Sequence, residues 1–427
     1  MATDVDVQYF SHLNGLTLGN NWGDLIRLLD KALVTGLDFT QITAASIDAQ
    51  GDVHITLYSD HNAMLFQVVE LVGFAPASLN QKYRIKGVPN TTQLILKPAL
   101  DIAERSITAI GTGKLVSLGY EIIFRDPEDV KRVYRAKNPS AQHPFIRVDE
   151  SLASPDGTSG IYPSTYAKFA MVGLLEHMNH IDDYKNPDVL QLPFDPNDPE
   201  KNWRITGSNG GVERGWSRWY YANRGIGTGG DDTRTPINGD RFFTLIGDRD
   251  AFYFLNSYDI TSRDKKINGC GLFDSALESN IVPNWFLMTH IPTYLNANSN
   301  SPLYTEAGAS PLTYNKDVAC FFTTKHDVIY RLSGHIKAHP IIPDYFTGNS
   351  NLNLSPTFEA CLSIPFYDDF NKIRGTLKYI NYAAYSNSQD VSDITPLLSD
   401  QTIYIIDTCY NPNARYTCVN FYIGDVS

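Results

Sequence analysis

Arg241-Phe-Phe-Thr-Leu-Ile-Gly-Asp-Arg-Asp-Ala-Phe-Tyr-Phe-Leu255 is the stretch whose reading decides the fold class. Two apolar and aromatic runs, Phe242 to Ile246 and Ala251 to Leu255, flank Gly247-Asp248-Arg249-Asp250, residue types that tolerate the backbone angles of a turn. Two such arms around such a turn predict a β-hairpin. Phe, Tyr, Ile and Leu suit a pleated surface packed on both sides, so the hairpin is expected at the centre of a sheet. Its contribution is architecture rather than chemistry.

Around this hairpin lies a chain of 427 residues, long enough for two or three domains. Its 25 Tyr stand beside 21 Phe, and only 19% of residues are charged. Tyrosine suits half-buried positions where the ring packs and the hydroxyl meets water or a partner, which favours large contact surfaces. A net charge of −12, with no cluster of Lys and Arg, argues against nucleic acid as a partner. The cysteines, Cys270, Cys320, Cys361, Cys409 and Cys418, are odd in number and lack C-x-x-C spacing, so neither a disulfide scaffold nor a structural zinc site is expected. The N-terminus lacks the pattern of a secretory signal, and no segment is apolar for long enough to span a bilayer. Folding in a reducing cytoplasm follows as the expectation.

Upstream, the clearest helix falls within residues 9 to 36. Asn21 is its expected cap, Asp24 favours the first turn and Gly36 is the stop. Trp22, Leu25, Ile26, Leu29, Ala32 and Leu33 recur at helical spacing and form one apolar face. From Gln41 to Lys97 the period changes to two, as in Val53, Ile55 and Leu57, and short strands parted by Gly and Asn predict a small barrel or sandwich. Ala99 to Ile110 is compatible with a helix, and the glycines around it with a connection into a second domain. The division expected is therefore a helical attachment segment at 1–40, a small β-module at 41–100, a linker at 101–118 and a large antiparallel β-domain with long loops at 119–427. The fold class is mainly β. Nothing repeats at a fixed period, so a solenoid or propeller is not indicated.

Two sets of motifs carry a resemblance. His61-x-x-x-Leu65-x-x-Val68-Val69-x-Leu71-x-Gly73, followed by Leu79-Asn80-x-x-Tyr83-x-Ile85-x-x-Val88-x-x-Thr91, resembles a small β-module recurrent in phage tail and fibre proteins. Trp22-Gly-Asp-Leu-Ile26, Lys131-x-Val133-Tyr134-Arg135, Phe145-Ile-Arg-Val-Asp149, Glu176-x-Met178, Trp219-Tyr-Tyr221, Gly247-Asp248-x-x-x-Phe252-Tyr253 and Ile373-Arg374-Gly375-x-Leu377 resemble, in order, a family of tailed-phage and prophage virion proteins. Two departures stand out: Leu272-Phe273-Asp274 replaces a Phe-Gly-Asp element, and no Pro-Gly follows Leu377. The resemblance implies a virion component of the tail or baseplate, assembled in the host bacterial cytoplasm with other virion proteins and as a homo-oligomer. It carries over no catalytic residue.

Candidate chemistry is sparse. His177 and His180 lie three apart beside Asp182 and Asp183, a spacing that on a helix serves one metal; read as the end of a strand, it sends the rings apart. Gly225-Ile-Gly-Thr-Gly-Gly-Asp-Asp232 lacks the strand-to-helix context of a phosphate loop, and Asp231 and Asp232 suit calcium better than phosphate. His326, His335 and His339 are isolated. No Gly-x-Ser-x-Gly elbow is present. Trp22, Trp216, Trp219, Tyr220 and Tyr221 are the residues singled out for contact with a partner or a host-surface glycan, against packing in the core. The expectation is a non-enzymatic structural virion protein without cofactor or metal. The alternatives are a receptor- or glycan-binding module, a head or collar decoration protein, or, from a further class, a glycan-degrading enzyme.

Overall fold

A computed structural model describes residues 3–154, 156–157, 160–208, 212–224, 233–263, 265–277, 282–290, 292–293, 303–304, 311–312, 320–326, 329, 331–341, 361–383, 394–409 and 417–425. The chain is mainly β, with 47% strand against 5% helix, in several antiparallel sheets of which one curls into a half-barrel.

The hairpin forms as expected, with Phe243–Gly247 antiparallel to Ala251–Ser257 and Gly247 opposite Phe252. Every residue of both arms is buried. Period two then divides them: Phe243, Leu245, Phe252 and Phe254 enter one core cluster, while Ile246, Ala251, Tyr253 and Leu255 enter another on the opposite face. Each fully buried side chain of this size contributes roughly 1.5–3 kcal/mol, so the hairpin is held from both sides. Gly247 is required at its position, because φ is +151° and a Cβ would lie 2.1 Å from the Ala251 carbonyl oxygen.

The hairpin sits inside the largest sheet, between strand Gln8–Ser11 and strand Lys265–Leu272. That sheet continues through Trp285–Met288, Phe321–Thr324, His335–Pro340, Cys361–Asp368 and Ile373–Ala383, and ends with Thr417–Asp425, Thr402–Cys409 and Thr395–Ser399. A second sheet runs from Gln191–Leu192 through Lys168–Leu175, Phe145–Asp149 and Lys131–Ala136 to Tyr120–Arg125, with Arg218–Ala222 also paired to Lys168–Leu175. A third sheet has the order Leu37–Asp38, Thr112–Leu115, Val68–Val72, Lys82–Asn90, Gln93–Pro98, Val53–Leu57 and Ile42–Ile47.

Several expectations change. The first forty residues are no helical attachment unit: Gln8–Ser11 is a strand of the largest sheet, and helix occupies only Asp24–Leu29, continued by wider π-type turns over Asp30–Thr35. Gly23, at φ 87°, caps this helix in place of Asn21, whose own N–H donates to Asp24 Oδ2 at 2.8 Å. Gly36 ends it at φ 71° as expected. The apolar face of Leu25, Ile26, Leu29, Ala32 and Leu33 is covered by the chain itself, within a core cluster that also contains Leu71, Tyr134, Val172 and Phe252. Ala99 to Ile110 is not helical. Residues 101–118 include Thr112–Leu115, an interior strand of the third sheet, so the small module closes through the segment expected to be a linker. Local pattern reads such short strands poorly, because their pairing partners lie far along the chain.

Two buried side chains knit the sheets together. Gln8 Nε2 donates to the carbonyl oxygens of Val68 and Val116, both at 2.9 Å, joining the largest sheet to the third. Arg84, fully buried, donates to the carbonyls of Asp4, Val7, Phe66 and Ile423 at 2.6–3.0 Å, so one guanidinium holds the segment before Gln8–Ser11 and the strand Thr417–Asp425 against the third sheet. Guanidinium geometry suits this task, since it presents five donors in a fixed plane.

Candidate functional site

The three sheets meet at the tip of the central hairpin. Asp248 builds the turn: its Oδ1 accepts from the N–H groups of Asp250 and Ala251 at 2.8 and 3.2 Å, and its own N–H donates to the Ala251 carbonyl. Its other oxygen accepts from the Tyr379 hydroxyl at 2.8 Å, and burial raises its pKa above the usual carboxylate range. Tyr379 sits at φ 64°, a region that bulky side chains rarely adopt.

Asp250 is held differently. Its Oδ1 lies 2.9 Å from His143 Nε2 and its Oδ2 lies 2.8 Å from Lys378 Nζ. The His143 hydrogen bond, assisted by Lys378, holds its pKa well below the ordinary value despite partial burial. Ser140 N–H donates to His143 Nδ1 at 2.9 Å, so Nδ1 is the acceptor and Nε2 carries the proton given to Asp250. Burial alone would lower the Lys378 pKa, but the Asp250 carboxylate raises it. The hairpin tip is thereby tied to the second sheet through His143 and to strand Ile373–Ala383 through Lys378 and Tyr379.

Beside these pairs opens a polar cleft of about 500 Å³, lined by Asp6 and Lys82, by Gly119 and Lys137, and by Asp248, Arg249 and Tyr379. The sequence reading took Gly247-Asp248-Arg249-Asp250 as turn residues alone. Two acids flanking an Arg at a turn were the available signal, but His143, Lys378 and Tyr379 reach them, and Lys82 and Lys137 line the same cleft, from distant parts of the chain.

The residues singled out in the sequence lie elsewhere. Trp219 and Tyr221 are completely buried and Tyr220 nearly so. Trp219 Nε1 donates to the Met288 carbonyl at 3.0 Å, and the Tyr221 hydroxyl donates to Glu150 Oε2 at 2.7 Å. These three rings are packed in the core and offer no open face to a sugar. Trp22 is half-buried against Tyr162 and Phe169, with the guanidinium of Arg214 5.0 Å from its ring centre. Trp216 is half-buried too, with Lys201 Nζ 4.1 Å from its ring centre and His335 packed edge-on. Partners from the same chain therefore occupy both rings.

His177 and His180 follow the strand Lys168–Leu175, as the strand-end reading expects. His177 Nε2 pairs with Asn179, and His180 Nδ1 accepts from the Asp182 N–H. Asp182 is bound to Lys131 and Arg147, and Asp183 to Asn179. Among the described residues no three His, Cys, Asp or Glu side chains converge on a point where a metal would sit. Gly225 to Asp232 lies outside the described residues. His335 Nδ1 lies 3.0 Å from the Phe194 carbonyl, and burial lowers its pKa; His339 lies 2.6 Å from Asp369. Cys270, Cys320, Cys409 and Cys418 are buried and unbridged.

A buried carboxylate that the sequence reading passed over is Glu150. It accepts from the Gly23 and Ile26 N–H groups at 2.5 and 2.9 Å, at the start of the helix, and from Tyr221. Burial raises its pKa to about 7, although these hydrogen bonds and nearby Arg214 oppose the rise. Here the carboxylate serves as an external cap for a helix that begins with glycine.

No protein-family model matches the chain, and no curated protein matches it.

Proposed function

We propose that this chain is a structural component of a tailed-bacteriophage virion, a tail or baseplate protein that holds neighbouring subunits or anchors a fibre. The sequence resemblance supplies the class. The observation that carries the assembly role is the pair of sheet ends: Thr395–Ser399 ends the largest sheet and Ile42–Ile47 ends the third, and each pairs with a described strand on one side only. A strand edge with unpaired N–H and C=O groups is a template for another chain. The small module, read as barrel-like, would present the second of these edges.

The apolar face of the helix at 24–35 gives no support to attachment, because it is spent in the core. Deleting residues 1–40 would remove strand Gln8–Ser11 of the largest sheet together with the core-packed helix, so edge substitutions are the informative test. Sedimentation of the purified chain is expected to show a homo-oligomer, and Ala45→Pro or Leu398→Pro, at positions whose N–H faces away from the paired strand, to shift it toward monomer with the far-UV spectrum retained. A monomeric wild-type chain that also fails to enter purified particles would overturn the proposal.

A further inference from the structure

We propose that the cleft at the hairpin tip binds a small organic oxyanion, a carboxylate or phosphate ester of about hexose size. Two of its three carboxylates are already engaged, Asp250 by His143 and Lys378 and Asp248 by Tyr379 and two backbone N–H groups, while Asp6 is exposed at the rim. Its outer cations are not engaged. Among the described residues no carboxylate comes within ion-pair distance of Lys82 or Lys137, and Arg249 Nε is 4.0 Å from an Asp250 oxygen that His143 already holds. Three cationic residues thus line one concavity whose two inner acids, Asp248 and Asp250, are satisfied from behind. An anion entering from solvent meets charge complementarity there.

The backbone brings two of these cationic residues close together. Lys137 N–H donates to the Gly119 carbonyl at 2.9 Å, and a Cβ on Gly119, at φ +95°, would lie 3.6 Å from Arg249 Cβ. Gly119 therefore lies beside the points from which both side chains start. Tyr379, which also lines the cleft, has a left-handed backbone and donates its hydroxyl to Asp248, and strained positions of this kind persist where the surroundings over-determine them. A volume of about 500 Å³ exceeds what a bare phosphate fills and falls within the range of small-molecule sites. Asp6 and Asn138 at the rim can meet hydroxyl groups.

The test is calorimetric titration of the full chain at low ionic strength with glucuronate, glucose 6-phosphate, inorganic phosphate and glucose. Saturable binding is expected for glucuronate, glucose 6-phosphate or both, with their order showing which oxyanion the cleft prefers. The doubly substituted Lys137→Gln/Arg249→Gln chain is expected to bind about tenfold more weakly or worse. Lys31→Gln, on the exposed side of the helix, is expected to leave binding unchanged, and far-UV circular dichroism checks that each chain is folded. Absence of saturable binding by either charged sugar would overturn the proposal. So would glucose or inorganic phosphate binding as tightly as the charged sugars, or equal weakening by Lys31→Gln.

Discussion

Lys265 and Lys266 are neighbours on one strand, both are buried, and they meet opposite fates. Lys265 Nζ lies 2.8 and 3.0 Å from the two oxygens of Asp407, itself buried and also bonded to Thr244. Lys266, on the other face, donates to the neutral Asn223 Oδ1 at 2.8 Å, and burial together with Arg241 lowers its pKa well below the ordinary value. Period two alone separates them. One face of the sheet meets a charge with a charge; the other meets it with a dipole, and the cost appears as a displaced proton affinity.

The largest effect should come from breaking the charged pair. Asp407→Asn leaves Lys265 without its counter-charge and should cost about 3–5 kcal/mol, read from urea unfolding. If the pair is worth little beyond satisfying itself, Lys265→Met/Asp407→Leu should recover most of that loss. A double variant as unstable as the single one would mean that the salt bridge contributes net stability and that the contrast between the faces is sharper than drawn.

Glu150 extends the comparison to an acid held by N–H dipoles. Its folded-state pKa, about 7, stands above the usual carboxylate value, so its contribution is fully present at low pH and is lost as pH rises through about 7. Glu150→Gln should flatten this part of the stability profile between about pH 4 and pH 7. An unchanged profile would show that the N–H groups of Gly23 and Ile26 compensate the charge completely.

Lys266→Met should cost no more than about 1 kcal/mol at pH 7, since a chain of similar volume replaces a poorly matched cation. The linkage runs the other way from Glu150. A base with a depressed folded pKa is least favourable at low pH, so its stability contribution rises toward pH 10 and falls as pH drops through the folded value. The cost of Lys266→Met should therefore be smaller at pH 7 than at pH 10, and a cost independent of pH would show that no proton affinity is displaced on that face.

An effect of similar size belongs to the pair at the hairpin tip, where His143 is buried and Asp250 partly so. His143→Ala should cost about 1 kcal/mol, because one charge-assisted bond is lost while Lys378 still holds Asp250. Asp250 has a depressed pKa, so its contribution is present above about pH 4 and lost as pH falls further; the variant should shift this acid limb upward. An acid limb that stays in place would identify Lys378 as the residue holding the carboxylate.

The β class, the central hairpin and the stop at Gly36 were legible because each is written in adjacent residues: alternation, aromatic runs and a glycine that alone tolerates its backbone angle. What period and composition could not supply was which distant segment completes each environment. Asp407 reaches Lys265 across 142 residues of chain, and His143 reaches Asp250 across 107. Gln8–Ser11 looked like the approach to a helix, because an isolated four-residue strand has too few residues to show a period, and only its pairing with Phe243–Gly247 makes it one. The sequence by itself determined that these residues would form strands and bury their aromatics. Only the tertiary structure decided which charges meet, because electrostatic partnership depends on distance in space and the chain brings together residues that sequence holds apart.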